Sequence, residues 1–353
     1  MTVLKLGSLF DGIGVFPLAA MHCGMEPVWA SEIEARPISI TKRHFPDMLH
    51  LGDITKISGA EIPPVDVITF GSPCQDLSQI GTRNGFAGKK SSLFYQAMRI
   101  IEEMRYATNG RYPAFCIWEN VAGAFSSNDR LDFAAMLSAF TDAEVSVPPR
   151  GWAHAGMVRG GCADTAWRLL DAQYWGEPAL AQRRKRVFVV ADFAGQRAGE
   201  VLFKPRTVLP FSTISGPGGL SATQRGGVPA AQTGRQVPIV RPFSLRRMRT
   251  MAQVGDQKGF CASFGRGGEP FPTLLASVTA PFSFWYEGEE RDGFLRVLTP
   301  LECERLMGLP ENWTKYGCKN EEISDHARYR ALGNSIALPC AEYVMAGIAE
   351  VMN

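Results

Sequence analysis

Val65-Asp66-Val67-Ile68-Thr69-Phe70-Gly71-Ser72-Pro73-Cys74-Gln75-Asp76-Leu77-Ser78 joins a short apolar run to a polar turn. The β-branched and aromatic residues from 65 to 70 predict a buried strand, which Gly71 and Pro73 bring to an end. Cys74 therefore stands at the carboxyl end of a strand, where open α/β sheets place their chemistry. A lone cysteine is most often a small buried hydrophobe, and its thiol becomes a nucleophile only where its surroundings ionise it. The rest of the chain has to supply those surroundings.

On the amino-terminal side, residues 3 to 10 predict a strand that runs into Phe10-Asp11-Gly12-Ile13-Gly14 and then a helix over 15 to 23. Strand, glycine turn and helix open a nucleotide-binding α/β unit, because glycine lets the backbone approach a ligand. Pro17 occupies the place of the third glycine of the dinucleotide fingerprint, which argues against NAD or FAD. A second strand, 27 to 30, ends in Ser31-Glu32-Ile33, and a third tip carries Gly52-Asp53-Ile54-Thr55. Each acid alone reads as an ordinary cap. In this order they predict an adenosine cradle, with ribose on Glu32 and the adenine amino group on Asp53.

On the carboxyl side, residues 79 to 90 read as a polar loop, and 93 to 105 as a helix with one apolar face that starts at Leu93. A strand over 114 to 118 ends in Glu119-Asn120-Val121, so apolar neighbours should raise the Glu119 pKa by desolvation. A helix is expected over 129 to 140. Gln182-Arg183-Arg184-Lys185-Arg186 leads into a strand over 187 to 191. From 193 the character changes: Pro, Gly, Ser, Thr and Gln dominate 205 to 240, which reads as loop or linker, and order returns with Arg246, Arg247 and Arg249 and the Gly/aromatic stretch 259 to 285. This reads as a small, irregular, mostly β module. Thr299-Pro300 starts a helix that Gly308 and Pro310 stop, and an apolar helix over 339 to 351 closes the chain.

At 353 residues and 45% apolar, the chain suits one large domain and a smaller one. No apolar run approaches a membrane span, and the eight cysteines include no C-x-x-C pair, so a soluble, cytoplasmic protein with reduced thiols and no metal is expected. The net charge of +2 conceals an asymmetry. Residues 181 to 250 hold 13 Lys/Arg against two acids, whereas the remainder holds 24 against 33. A basic surface for a polyanion follows.

Taken in order, these motifs resemble those of the bacterial and phage-type DNA (cytosine-5)-methyltransferase family over nearly the whole chain. Phe10 to Gly14 is similar to its first cofactor motif, Pro73-Cys74-Gln75 to its catalytic motif, and Glu119-Asn120-Val121 to its base-binding triplet. Gln182, Arg184 and Arg186 fall on its Gln-x-Arg-x-Arg motif, 296 to 310 on a motif that scaffolds target recognition, and Gly333-Asn334-Ser335-Ile336 on its last cofactor motif. Thr273-Leu274 resembles the Thr-Leu pair of its recognition domains. Two departures stand out: three extra residues separate Gly176-Glu177-Pro178 from Gln182, and Asp11 replaces a commonly small residue, with Val15 where a second glycine often follows.

The resemblance implies a Rossmann-like S-adenosylmethionine-dependent fold with a smaller, mostly β target recognition domain. It divides the chain into a catalytic and cofactor domain, 1–192, completed by 323–353, a recognition domain, 193–295, and a scaffold segment, 296–322. It implies S-adenosylmethionine held by Phe10, Asp11, Gly12, Gly14, Glu32, Ile33, Asp53, Ile54, Pro73, Leu93, Asn334 and Ser335. Cys74 would be the nucleophile, Glu119 would serve the cytosine ring N3, and Arg184 or Arg186 would serve O2. Gln75, Ser78, Gln182, Arg246, Arg247, Arg249 and Thr273 would meet double-stranded DNA. A monomer is implied, with any companion restriction endonuclease dispensable for activity. A tRNA methyltransferase on the same scaffold and a catalytically idle DNA-binding regulator are the rivals. The long 193 to 295 segment favours duplex DNA over tRNA, and the intact Cys74, Glu119 and arginines favour an enzyme.

Overall fold

The computed structural model describes residues 3–72, 93–204, 239–242, 270–271, 273–274, 282–286 and 294–353. Pro73, Cys74, Gln75, Ser78, Arg246, Arg247 and Arg249 lie outside the described residues, as does the loop expected at 79 to 90.

The first half alternates strand and helix: β1 (Lys5–Leu9), α1 (Val15–His22), β2 (Glu26–Ser31), α2 (Ala35–His44), β3 (Leu49–His50), β4 (Val67–Phe70), α3 (Leu93–Ala107) and β5 (Phe115–Val121). It continues with α4 (Leu131–Thr141), β6 (Ala155–Arg159), β7 (Asp164–Asp171), β8 (Lys185–Asp192) and α5 (Ala198–Leu202). Strands β9 (Ile239–Pro242), β10 (Phe282–Tyr286) and β11 (Phe294–Val297) form a separate antiparallel sheet in the order β11-β10-β9. Helices α6 (Pro300–Leu306), α7 (Asp325–Asn334) and α8 (Leu338–Met352) close the chain.

The main sheet has the order β3-β2-β1-β4-β5-β8-β7-β6, parallel through β5 and antiparallel beyond it. Period-two alternation sorts its side chains onto two faces. In β5, Phe115 and Ile117 join a core with α1, α5 and α8, while Cys116 and Trp118 join a second core with α3 and α4. β8 divides likewise, Phe188 and Val190 to one face and Val187, Val189 and Ala191 to the other. Helices cover both faces, so the sheet is doubly wound and its parallel strands end on a common edge.

Two sequence expectations shift by a few residues. β5 runs to Val121 rather than stopping at 118, because antiparallel β8 keeps pairing as far as Val121 with Arg186. Glu119 is therefore inside a strand. Helix α5, for which the sequence offered no element, has Ala198, Val201 and Leu202 buried against α8.

The closing segment is fastened to the first turn of the sheet. The Trp313 indole donates to the Ile13 carbonyl at 2.8 Å and stacks on His44 at 3.6 Å between ring centroids. Thr299 and Glu302 form a reciprocal cap on α6, with Pro300 in its first turn. Glu304 of α6 is fully buried and accepts from the Asn312 and Thr314 amides at 2.8 and 2.9 Å and from Arg328 of α7 at 3.1 Å. A buried charge so satisfied fixes the α6–α7 geometry, and with it the placement of Gly333-Asn334-Ser335. Among the described residues no single helix is long and apolar enough to cross a membrane.

Candidate active site

The carboxyl ends of β1, β2, β4 and β5, together with α7, surround a cavity of about 720 Å³. Of the residues that the sequence assigned to a cofactor, Phe10, Asp11, Gly12, Glu32, Ile33, Asp53, Ile54, Leu93, Asn334 and Ser335 all line it. Gly14 stands just behind it, at φ +78°, where a Cβ would meet Phe45 and Thr41 at 2.9 and 3.0 Å. Phe10 adopts φ +54°, an unusual value for a side chain with a Cβ, and Gly12 follows at +60°. The turn after β1 is thereby folded tightly, its Asp11 amide bonded to the Ser31 carbonyl at 3.1 Å.

Glu32 knits this end together. One carboxylate oxygen accepts the Gly12 amide at 2.9 Å, and the other accepts the Ile33 and Glu34 amides at 2.7 and 2.9 Å. Ile33 projects outward, 72% exposed, an apolar face available to a flat ring. Asp53 caps the short turn Ile54–Lys56 by accepting the Thr55 amide and hydroxyl at 3.0 and 2.8 Å, and those bonds hold its pKa below the usual carboxylate value. Asp11 differs from both acids. Its two carboxylate oxygens are buried with no hydrogen-bond partner among the described residues.

At the other end of the cavity lies an ion pair. Arg186 Nε stands 2.9 Å from Glu119 Oε1, both side chains almost buried. Burial raises the Glu119 pKa, and the charges of Arg186 and Arg184 oppose that rise only in part. Burial therefore favours the neutral carboxyl more than water would, against the pull of the two guanidinium charges. Directly beside it, the Trp118 indole donates to Ser72 Oγ and the Asn120 amide to the Ser72 carbonyl, each at 3.1 Å. These two bonds anchor Ser72, the residue that enters Pro73-Cys74. Gly71 passes so close that a Cβ on it would lie 3.1 Å from Glu119 Oε2.

The structure separates the two arginines left open by the sequence. Arg184 is 1% exposed, and its guanidinium donates to the carbonyls of Leu274 and Gly333 at 2.9 and 2.8 Å and to that of Ser335. Burial, and then the charge of Arg186, bring its pKa down to about 9. Of the two, Arg186 lines the cavity. Gln182 is fully buried too: its amide donates to the Leu306 carbonyl at 3.0 Å and its oxygen accepts the Leu274 amide at 3.2 Å. The structure therefore does not bring Gln182 to the surface where DNA would pass. Thr273 does line the cavity, its hydroxyl bonded to the Arg183 carbonyl at 2.6 Å. Sequence reading passed over Arg36, His326 and Arg330, which also line the cavity, as does Ser72. No local pattern marks those three, because only the fold of α2 and α7 brings them there.

The family model for C-5 cytosine-specific DNA methylases matches residues 4–205 and 246–350. The chain belongs to that family. As a DNA cytosine-5 methyltransferase, it shares 27% identity with the type II methyltransferase M1.ScrFI of Lactococcus lactis subsp. cremoris, over 99% of this chain and 78% of that one. It is also 24% identical, over 98% of its length, to a protein of Escherichia phage P1 named DNA N-6-adenine-methyltransferase, of which the match spans 61%. The Dnmt2 methyltransferase of S. pombe superposes with a TM-score of 0.62 at 15% identity, covering both chains completely, so the enzyme has the fold of that methyltransferase. The residues present suit an adenosyl cofactor: a glycine turn with free approach, acids at successive strand ends, and an orphaned buried carboxylate that calls for a cationic partner.

Proposed function

We propose that this enzyme methylates C5 of a cytosine flipped out of double-stranded DNA, through a covalent bond from Cys74 to C6, at a site chosen by a recognition segment within 193–295. The observation that carries this reading is the Glu119–Arg186 pair beside Ser72, which puts a buried carboxyl of raised pKa and a cation next to the start of the Cys74 loop.

Cytosine C5 is weakly nucleophilic until a thiolate adds at C6. In this reading Glu119 holds a proton at ring N3 as that addition proceeds, and Arg186 balances charge at O2. Arg184 is a positioning residue, tying the Thr273-Leu274 segment to the last cofactor motif. S-adenosylmethionine, when bound, supplies an electrophilic methyl group. Glu32 and Asp53 would hold its ribose and adenine; Phe10, Gly12, Gly14, Ile33, Ile54, Pro73, Leu93, Asn334 and Ser335 would shape the rest. Once C5 is methylated, loss of its proton drives elimination of the Cys74 thiol. The target base must leave the duplex for any of this, because C6 is out of reach inside a stack. Gln75, Ser78, Arg246, Arg247, Arg249 and Thr273 are assigned to that DNA, and the protein is assigned as a cytoplasmic monomer that needs no companion nuclease.

The test is incubation with S-adenosylmethionine and unmethylated duplexes of varied sequence, followed by base-resolution mapping of 5-methylcytosine and N6-methyladenine. Modified cytosine at one short motif, abolished in Cys74→Ser, is the expected result. N6-methyladenine alone, the product the phage P1 relative's name describes, would overturn the reading. A duplex with 5-fluorocytosine at the mapped site should form a covalent adduct with the wild type, since fluorine cannot leave as a proton does; no adduct would remove the Cys74 step.

A further inference from the structure

Asp11 follows just after β1, at the cavity wall, and its two carboxylate oxygens are buried with no hydrogen-bond partner among the described residues. A buried carboxylate left so at a cavity wall represents a cost of desolvation that a bound group can relieve. That group has to bring donors, and beside a carboxylate it has to be cationic.

The turn itself indicates which part of a ligand arrives there. Gly12, the next residue, gives its amide to Glu32, so the acid assigned to ribose lies immediately beside Asp11. A ligand seated on Glu32 and Asp53 by its adenosine extends its amino-acid end toward the remainder of the cavity. That end carries a sulfonium with no N–H, a carboxylate that Asp11 repels, and an α-ammonium with three donors. We propose that Asp11 is the counter-ion of this α-ammonium group and thereby selects cofactors with a free amino-acid end over bare nucleosides. The proposal rests on the cofactor reading given above.

Burial, with the charge of Glu32 acting in the same direction, pushes the Asp11 carboxyl up to about 7. An arriving ammonium favours the carboxylate, so affinity should rise with pH up to and somewhat above 7, then level off. Other charged groups share the cavity: Glu32, Glu34 and Arg36 near α2, Asp53, His326 and Arg330 on the α7 side, and the Glu119–Arg186 pair. An Asp11→Asn variant keeps them all, so whatever pH dependence it loses belongs to Asp11.

The experiment is calorimetric titration of the DNA-free full chain with S-adenosylhomocysteine and with its analogue bearing hydrogen in place of the α-amino group, at pH 6, 7 and 8. Wild type should prefer the amine by about 10- to 100-fold at pH 8, and the preference should shrink by up to about tenfold at pH 6. In Asp11→Asn it should fall below about threefold and be flat with pH, while the desamino analogue binds both proteins alike. Equal affinity of wild type for the two ligands at pH 8, or an undiminished preference in Asp11→Asn, overturns the assignment. Wild type that binds neither ligand overturns the cofactor reading beneath it.

Discussion

At the β1–β3 end of the cavity the Glu32 carboxylate accepts three backbone amides and Asp53 accepts two groups of Thr55. At the β4–β5–β8 end Glu119 instead meets a guanidinium, in near-complete burial, with its pKa raised while that of Asp53 is lowered. Backbone amides cannot be titrated or moved, so the first arrangement stabilises fixed negative charge for binding. The second leaves a carboxyl whose protonation responds to its surroundings, which suits proton transfer. One sheet edge thus offers a holding end and a reacting end.

The most severe way to break this contrast is Glu119→Gln. Methyl transfer should fall by about 10²- to 10⁴-fold, with S-adenosylhomocysteine affinity within about twofold of wild type. A loss of binding as large as the loss of rate would show that the two ends are not separate. The raised Glu119 pKa also fixes a sign: activity that needs the protonated carboxyl declines as pH rises through that pKa. Removing the neighbouring cation in Arg186→Met should move this alkaline limb upward, and an unmoved limb would dissociate Arg186 from Glu119.

A smaller effect distinguishes the arginines. Arg184→Met abandons three buried carbonyl acceptors and should cost about 3 kcal/mol of stability in chemical denaturation. Arg186→Met should cost about 1 kcal/mol or less while losing most of the activity. Equal stabilities would argue that Arg184 is not structural. Least of all, Gly71→Ala crowds Glu119 with one methyl group and should cost about 1 kcal/mol, sharpening the reacting end if rate falls while cofactor affinity does not.

Much of this site was legible because strand ends advertise themselves. Gly12 and Gly14 after β1, Glu32 after β2 and Glu119 on β5 each follow an apolar run of strand length, and the doubly wound sheet brings such ends to one edge. Burial was not legible. Gln182 reads as a DNA ligand and Arg184 as a candidate for the base, yet both are engulfed, since Phe271 pairs beside β8 and α6 and α7 close over them. Helix α5 escaped notice because its five residues sit among glycines, and α2 because it is polar around most of its circumference with only Pro37, Ile40 and Thr41 buried. β6 was hidden for a similar reason: an edge strand with Gly156 and alternating exposure offers no apolar signal.

The seam at residues 270–271 and 273–274 has a practical corollary for the recognition segment proposed above. Phe271 bonds through its backbone to Ala181 and Arg183, and Leu274 is gripped by Gln182 and Arg184, so these residues join the body of the main sheet although they lie inside the segment proposed for recognition. A transplant of 193–295 as one block would also carry away α5, whose apolar face fills the core beneath α8. Exchanging 205–269 and 275–293 instead leaves both in the host, so a chimera built that way tests the proposed recognition segment without surrendering the joint at Phe271 and Leu274.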